Sequence, residues 1–296
     1  MLFGDAMKDD STEANVDREA VEGFGDEWSK FDQAGLSRQD QREMFNAYFS
    51  IFPWHKFSKS SVGFDLGCGS GRWAQLVAPR VGKLHCIDPS VAALNVARRN
   101  LAEQPNCEFH LAAVDDIPLE DESADFGYAL GVLHHVPDTE AAIKSCVSIL
   151  KRGAPLLLYL YYRFDNRPWW FRLIWRVSDL GRLLISRTSY PVKYTLSQII
   201  AVTVYLPLST LSLLFEKLGF NVDSLPLSQY RKRGFYVLRT DALDRFGTKL
   251  EKRFTKNEIC QMMKRAGLGK IVFRSQAPYW CALGYKSKRL DDTTNP

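Results

Sequence analysis

The stretch Val62-Gly-Phe-Asp-Leu-Gly-Cys-Gly-Ser-Gly71 constrains this chain more than any other. An apolar run ends in glycines at alternate positions, and helical periodicity begins at Arg72. That order describes a buried strand turning through a loop into a helix. Gly67, Gly69 and Gly71 let the backbone come into contact with a ligand, and the first N–H groups of the following helix point towards it. A dinucleotide fingerprint, G-x-G-x-x-G, would need glycine at position 72, where Arg72 stands. The spacing is instead G-x-G-x-G, with Asp65 two residues before the first glycine. Asp88 ends the next apolar run, 21 residues after Gly67, where a carboxylate can accept both hydroxyls of a ribose.

Short apolar runs alternate with helical ones around this loop. Strands are expected at Val62–Leu66, Lys83–Ile87, Cys107–Ala112, Phe126–Leu130 and Pro155–Tyr161. Helices are expected at Arg72–Ala78, Val91–Glu103 and Thr139–Leu150. This alternation reads as a parallel sheet covered on both faces. Before it come a polar, fraying N-terminus (1–16) and a helical lead-in (17–58), where Ser37 caps a run carrying Met44, Phe45, Tyr48, Phe49 and Phe52 and ending before Pro53. The alternation fills a core at 59–162, stops for an insertion at 163–254, and resumes at 255–296. There Thr255-Lys-Asn-Glu258 is a capping box opening a helix Lys256–Arg265, which Gly267 closes. Strands Lys270–Arg274 and Trp280–Tyr285 follow and would pair antiparallel. The fold class is therefore α/β, with a final antiparallel strand pair and a largely helical insertion.

A net charge of +5 conceals an asymmetry, because residues 1–150 balance to −11 and residues 151–296 to +16. A basic half points to an anionic substrate, a membrane surface or nucleic acid, or to packing against the acidic half. The six cysteines include no C-x-x-C pair, which excludes a zinc ribbon and fits a reducing cytoplasm. The first twenty residues are acidic and polar, unlike a secretory leader.

Together, Asp65-Leu-Gly-Cys-Gly-Ser-Gly71, Cys86-Ile-Asp-Pro-Ser90, Ile117-Pro-Leu-Glu-Asp-Glu-Ser-Ala-Asp125 and Gly131-Val-Leu-His-His-Val-Pro-Asp138 resemble the class I S-adenosylmethionine-dependent methyltransferases of the broad small-molecule type. The resemblance implies a Rossmann-like, seven-stranded, doubly wound sheet with S-adenosyl-L-methionine as cofactor. It implies that Asp65, Gly67, Cys68 and Gly69 sit at the methionine end, Asp88 and Pro89 at the ribose, Val114, Asp115 and Asp116 beside the adenine, and Leu130 along the same wall. The sequence departs from the family where an acid often stands four positions before the Leu/Ile of the Leu-Pro turn. Here that position is Ala113. Family lead-in helices commonly fold over the cofactor, which makes Trp28, Phe31, Tyr48 and Trp54 candidates for a lid.

Methyl transfer from a sulfonium is an in-line displacement, so the protein's work is to position the acceptor and exclude water. A base is needed only where the acceptor loses a proton. His134 and His135 follow the fourth strand, at the edge where ligands of open α/β sheets bind, and are the candidate catalytic pair. On the acceptor side, Tyr159-Leu-Tyr-Tyr-Arg-Phe-Asp-Asn-Arg-Pro-Trp-Trp170 interleaves aromatic faces with arginines, so Tyr162, Arg163, Arg167 and Trp169 are candidates for a planar or sugar-like, negatively charged acceptor. Arg239, Asp241, Asp244 and Arg245 either line the same space or form a salt-bridged connector. No metal is expected, because Gly131 stands where a metal-dependent enzyme of the catechol type would want an acid.

The uncharged run Tyr194–Phe215 is long enough to span a bilayer, but its hydroxyl-bearing residues and Pro207, expected to break it, favour helices over an acceptor cavity. Trp169, Trp170, Phe171, Ile174 and Trp175 alternate with Arg172 and Arg176 as interfacial helices do, which leaves a peripheral membrane contact open. The reading is methyl transfer to an O or N atom of a small anionic or glycan-like metabolite by a cytoplasmic protein, with a peripheral membrane location left open. Its alternatives are a lipid-linked acceptor, RNA (prompted by Arg231-Lys-Arg233), and a non-catalytic cofactor-binding scaffold. DNA is not expected.

Overall fold

The computed structural model describes residues 15–287; most of the stretch expected to fray lies outside them. Seven strands form one sheet in the order β3-β2-β1-β4-β5-β7-β6. The strands are β1 (Val62–Leu66), β2 (Lys83–Asp88), β3 (Cys107–Leu111), β4 (Phe126–Leu130), β5 (Pro155–Tyr159), β6 (Leu268–Phe273) and β7 (Cys281–Lys286). The first five are mutually parallel, and β7 inserts antiparallel between β5 and β6. The chain reverses direction across the sheet at β1/β4, so a crevice opens beyond their carboxyl ends.

Two apolar layers sandwich the sheet. On one face α5 (Thr139–Ile149) and α10 (Lys256–Arg265) bury Ile143, Val147, Ile259 and Met263 against Phe64, Leu66 and Leu156. On the other, α2 (Arg38–Tyr48) and α4 (Val91–Asn100) bury Phe45, Leu94 and Ala97 against Leu84, Phe126 and Leu157. The caps are those the sequence names. The Ser37 hydroxyl accepts the Asp40 N–H at 3.0 Å, and Thr255 and Glu258 close a full capping box.

Between β1 and β2 the helix is shorter than expected, only α3 (Ala74–Val77) and a 3-10 turn to Arg80, which leaves Arg72 and Trp73 in the loop. The lead-in contains α1 (Arg18–Lys30), which packs on α4. The insertion supplies α6 (Trp169–Ile185), α7 (Tyr190–Ile200), α8 (Leu206–Lys217) and α9 (Phe235–Gly247). Contrary to expectation, Pro207, near the start of α8, does not break the uncharged run. Helix α7 runs through a π-helical turn, Ala201–Tyr205, straight into α8, giving one rod from Tyr190 to Lys217. The Leu206 N–H reaches back to the Ala201 carbonyl, and this widened turn takes up the proline's ring and missing donor.

Candidate active site

A cavity of about 530 Å³ opens at the carboxyl ends of β1 and β4, between the glycine loop and the insertion. Its floor is built by loop residues Gly67, Cys68 and Gly69, with Arg72 and Trp73 beyond them. Gly67 and Gly69 have φ of +70° and +54°, a region L side chains avoid. A Cβ on Gly67 would run into the Val132 side chain, and one on Gly69 would lie 2.8 Å from Trp28 Nε1. The loop therefore presents bare backbone because side chains do not fit there.

Asp88 ends β2 at the cavity wall. Its Oδ2 accepts the Gly69 N–H and its Oδ1 the Ser90 N–H, both at 2.9 Å. Burial pushes this carboxyl up to about 6, while the two N–H bonds pull it back. It is thus ionised at neutral pH, with lone pairs left for two more donors. Asp65 lies behind the loop rather than on the cavity. It is fully enclosed, its Oδ2 has no partner, and burial raises it to about 8.

The remaining wall divides the residues marked in the sequence. Pro89, Val114 and Leu130 line the cavity. Asp115 and Asp116 do not; both are exposed, and Asp115 Oδ2 accepts the Asn15 N–H at 2.7 Å. Ala112 and Ala113 line the space where the expected carboxylate would be. Of the lid candidates, Trp28 and Tyr48 face the cavity, whereas Phe31 packs edge-on against Tyr236 and Trp54 joins the core beneath α2.

The two histidines separate. His135 lines the cavity, with Nδ1 2.6 Å from the Leu250 carbonyl and Nε2 unpartnered; burial lowers it to about 4. His134 sits off the cavity, stacked on Tyr161 at 3.8 Å with both ring nitrogens unpartnered, and burial holds it neutral. It has no route to a substrate proton.

Tyr162 and Arg167 also line the space. Arg163 turns away into an ion pair with Glu258 at 3.2 Å, and Trp169 is 70% exposed on α6. Alternation along an extended segment explains this split, since neighbours such as Tyr162 and Arg163 point to opposite sides. Asp165, next to the aromatic segment, accepts the Trp280 indole N–H at 2.7 Å.

Several lining groups carried little or no signal in the sequence. Glu27 of α1 is 4% exposed, and burial raises its carboxyl, with Asp244 adding to the effect. Arg72 stacks over Trp73 at 4.3 Å with a buried, unpartnered Nε. From α9 come Asp241, Asp244 and Arg245, which do line the cavity; Arg239 does not, being held by Gln198 Oε1 at 2.5 Å. The Tyr161 hydroxyl donates to Asp244 Oδ2 and the Tyr230 hydroxyl to Asp241 Oδ1. Burial raises both acids to about 6. Glu251, with a side chain 1% exposed, holds Arg245 at 2.9 Å and Arg253 at 2.8 Å. A separate cluster, His85, Glu108 and His110, brings three ligand atoms within 4.8 Å on β2 and β3, away from the cavity.

These residues fit an S-adenosyl nucleoside. Asp88 offers acceptors for a ribose, Ala113 and Val114 offer backbone beside a base, and the orphaned Arg72 Nε offers a donor to an amino-acid carboxylate.

Comparison with known proteins agrees. The family described as Methyltransferase domain matches residues 64–158. Over 96 residues the chain is 32% identical to a ubiquinone biosynthesis O-methyltransferase of Xanthomonas campestris, covering 32% of this chain and 40% of that protein. Over 128 residues it is 30% identical to an uncharacterized methyltransferase of Schizosaccharomyces pombe, covering 43% and 47%. The chain thus spans less than half the length of these relatives. In fold, it is similar to a chain in the complex of the Haloferax volcanii Trm112 methyltransferase activator with a methyltransferase, at 12% identity and a TM-score of 0.50, covering 89% of this chain and 97% of that one. Residues 64–158 are thus similar to a methyltransferase domain, and this match supports the fold of a class I S-adenosylmethionine-dependent methyltransferase with S-adenosyl-L-methionine as its cofactor.

Proposed function

We propose that this protein methylates a hydroxyl oxygen on a ring-bearing, largely apolar acceptor, with the Tyr161–Asp244 pair receiving the hydroxyl proton. One observation carries the reading: a buried carboxylate, bonded by a tyrosine hydroxyl, stands in an aromatic wall continuous with the glycine loop. The cofactor supplies an electrophilic methyl group. With the methyl group passed to the acceptor oxygen, the proton that this oxygen loses would end on Asp244. At about 6, Asp244 is ionised at neutral pH yet basic enough to take a proton late in the transfer. His135, lowered to about 4, is a weaker base.

Tyr161, Tyr162, Phe164, Phe171, Trp175 and Tyr205 supply flat apolar faces for a ring. Their number favours an apolar acceptor over the anionic one expected from composition. Arg233 is paired with Glu43 at 2.7 Å and Glu251 holds both Arg245 and Arg253, which leaves Arg72 beside the glycine loop and Arg167 as the lining guanidiniums with no carboxylate partner among the described residues. The O-methyltransferase names of the curated relatives lean the same way. The test is transfer of labelled methyl to a panel of phenolic and alicyclic alcohols. Asp244→Asn and Tyr161→Phe should keep S-adenosylhomocysteine binding and lose about a hundredfold or more in turnover. Full turnover by Asp244→Asn would refute the assignment.

A further inference from the structure

The rod from Tyr190 to Lys217 is built inside out. Its buried residues are small or polar: Ser197, Ala201, Tyr205, Ser209 and Ser212, spaced at helical intervals. Its outward residues are mainly apolar, Val192, Ile199, Val202, Val204, Leu206, Leu211 and Leu214, with the threonines Thr195, Thr203 and Thr210 between them and Lys217 at the end. A helix facing water shows the opposite pattern. Small residues turned towards protein and aliphatic ones turned away are what a helix shows when its outer surroundings are hydrocarbon. Helix α6 extends the same face with Trp169, Leu173, Val177, Leu180 and Leu184, the last 71% exposed. This apolar surface is much larger than the scattered exposure normal for a soluble surface.

Charge around the face has one sign. Arg172, Arg176, Arg187 and Lys217 are exposed, and none of the three arginines pairs with a carboxylate among the described residues. The two acids on these helices are already engaged, Asp179 by Arg182 at 2.6 Å and Glu216 by Arg231 at 2.8 Å. The rod is long enough to cross a bilayer, but its inner side is fixed to the protein. Arg239 of α9 bonds Gln198 and Tyr194, and Lys193 Nζ donates to the Gly247 carbonyl. Crossing would carry α9 and its charges into hydrocarbon.

We infer that the outer face of α6 and of the 190–217 rod seats in one leaflet of a bilayer containing anionic lipid, with Arg172, Arg176 and Arg187 at headgroup level. Ile174 and Val204 are both exposed on this face and line the cavity, so an apolar molecule can pass from leaflet to cavity between the two helices. That last step rests on the acceptor proposed above; the seating itself does not.

The full chain should float with phosphatidylcholine vesicles containing phosphatidylglycerol, and less well with phosphatidylcholine alone. The double variants Val177→Glu/Leu184→Glu and Leu211→Glu/Leu214→Glu should bind at least about tenfold more weakly while keeping S-adenosylhomocysteine affinity. Leu111→Glu, on exposed apolar surface elsewhere, should bind vesicles like the parent. Bromine-labelled lipid tails should quench the parent's tryptophan fluorescence, a readout independent of the variants. Parent protein that stays free of vesicles, or double variants that bind as the parent does, would overturn the proposal. So would a solution dimer that Leu211→Glu/Leu214→Glu disperses, since the face would then belong to a second copy. A soluble alcohol assayed without vesicles tests the acceptor reading separately.

Discussion

Replacing Asp88 with asparagine should separate cofactor affinity from stability, because the same carboxylate contributes to them with opposite sign. In the folded protein burial carries this group from 3.8 to about 6, so at pH 7 the ionised form costs about 3 kcal/mol relative to the unfolded chain. Asparagine removes that cost but keeps only one acceptor oxygen for the N–H groups of Gly69 and Ser90, each now 2.9 Å from a carboxylate oxygen. Losing one such bond costs about 1–3 kcal/mol. The two effects offset in large part, so the unfolding free energy without ligand should change by about 2 kcal/mol or less. Binding changes differently. A ribose hydroxyl loses a charged acceptor, worth about 1.5–3 kcal/mol, and the S-adenosylhomocysteine Kd should rise roughly 10–100-fold. Calorimetric titration and urea unfolding at pH 7 measure both on one preparation. An unchanged Kd would refute the ribose assignment, and a stability loss matching the affinity loss would show that Asp88 only holds the loop in place.

Gly67→Ala should destabilise the fold by about 1–3 kcal/mol and abolish cofactor binding, since alanine is strained at this φ and its Cβ meets Val132 at the cavity floor; urea unfolding and titration with S-adenosylhomocysteine read the two effects. Glu251→Ala strands two buried guanidiniums and should destabilise the fold by about 3–5 kcal/mol, seen as an earlier urea midpoint. Asp65 is raised to about 8, so the folded state holds its proton where the unfolded chain releases it. Stability should therefore fall as pH rises from about 4 through 8, and Asp65→Asn should flatten that slope in thermal unfolding. In the methyl-transfer reaction, kcat/KM should rise with pH through about 6 as Asp244 ionises, and Asp244→Asn should lose that limb of the profile.

The sheet was legible wherever a local rule acted alone. Strands at Val62–Leu66 and Phe126–Leu130 and the helix at Lys256–Arg265 match the sequence reading residue for residue, because a buried parallel strand is a bare apolar run and a capping box marks its own helix. The glycine loop and Asp88 were legible because their spacing is itself the chemistry. The acceptor wall was much less so. Asp244 and Tyr161 are 83 residues apart, and nothing local to either announces the other. Tyr162 and Arg163 read alike in composition but point apart, a matter of strand phase that a loop after β5 does not reveal. Ala113, read as a missing acid, is part of the cavity wall. The inside-out rod was partly visible as an uncharged run, but which residues faced inward depended on where α9 would lie.

The insertion of β7 between β5 and β6 bears on how the chain is made. Ribosomal synthesis exposes β5, with Leu156, Leu157 and Leu158 in its centre, well before its neighbour β7 exists. More than a hundred residues separate the two, including the apolar rod, so at about 5–20 residues per second that edge waits on the order of ten seconds. During that interval the nascent chain presents an unpaired, leucine-rich strand edge and a lipophilic helix together. Translation near a membrane or a holding chaperone would then govern the yield of active protein more than the stability of the finished fold.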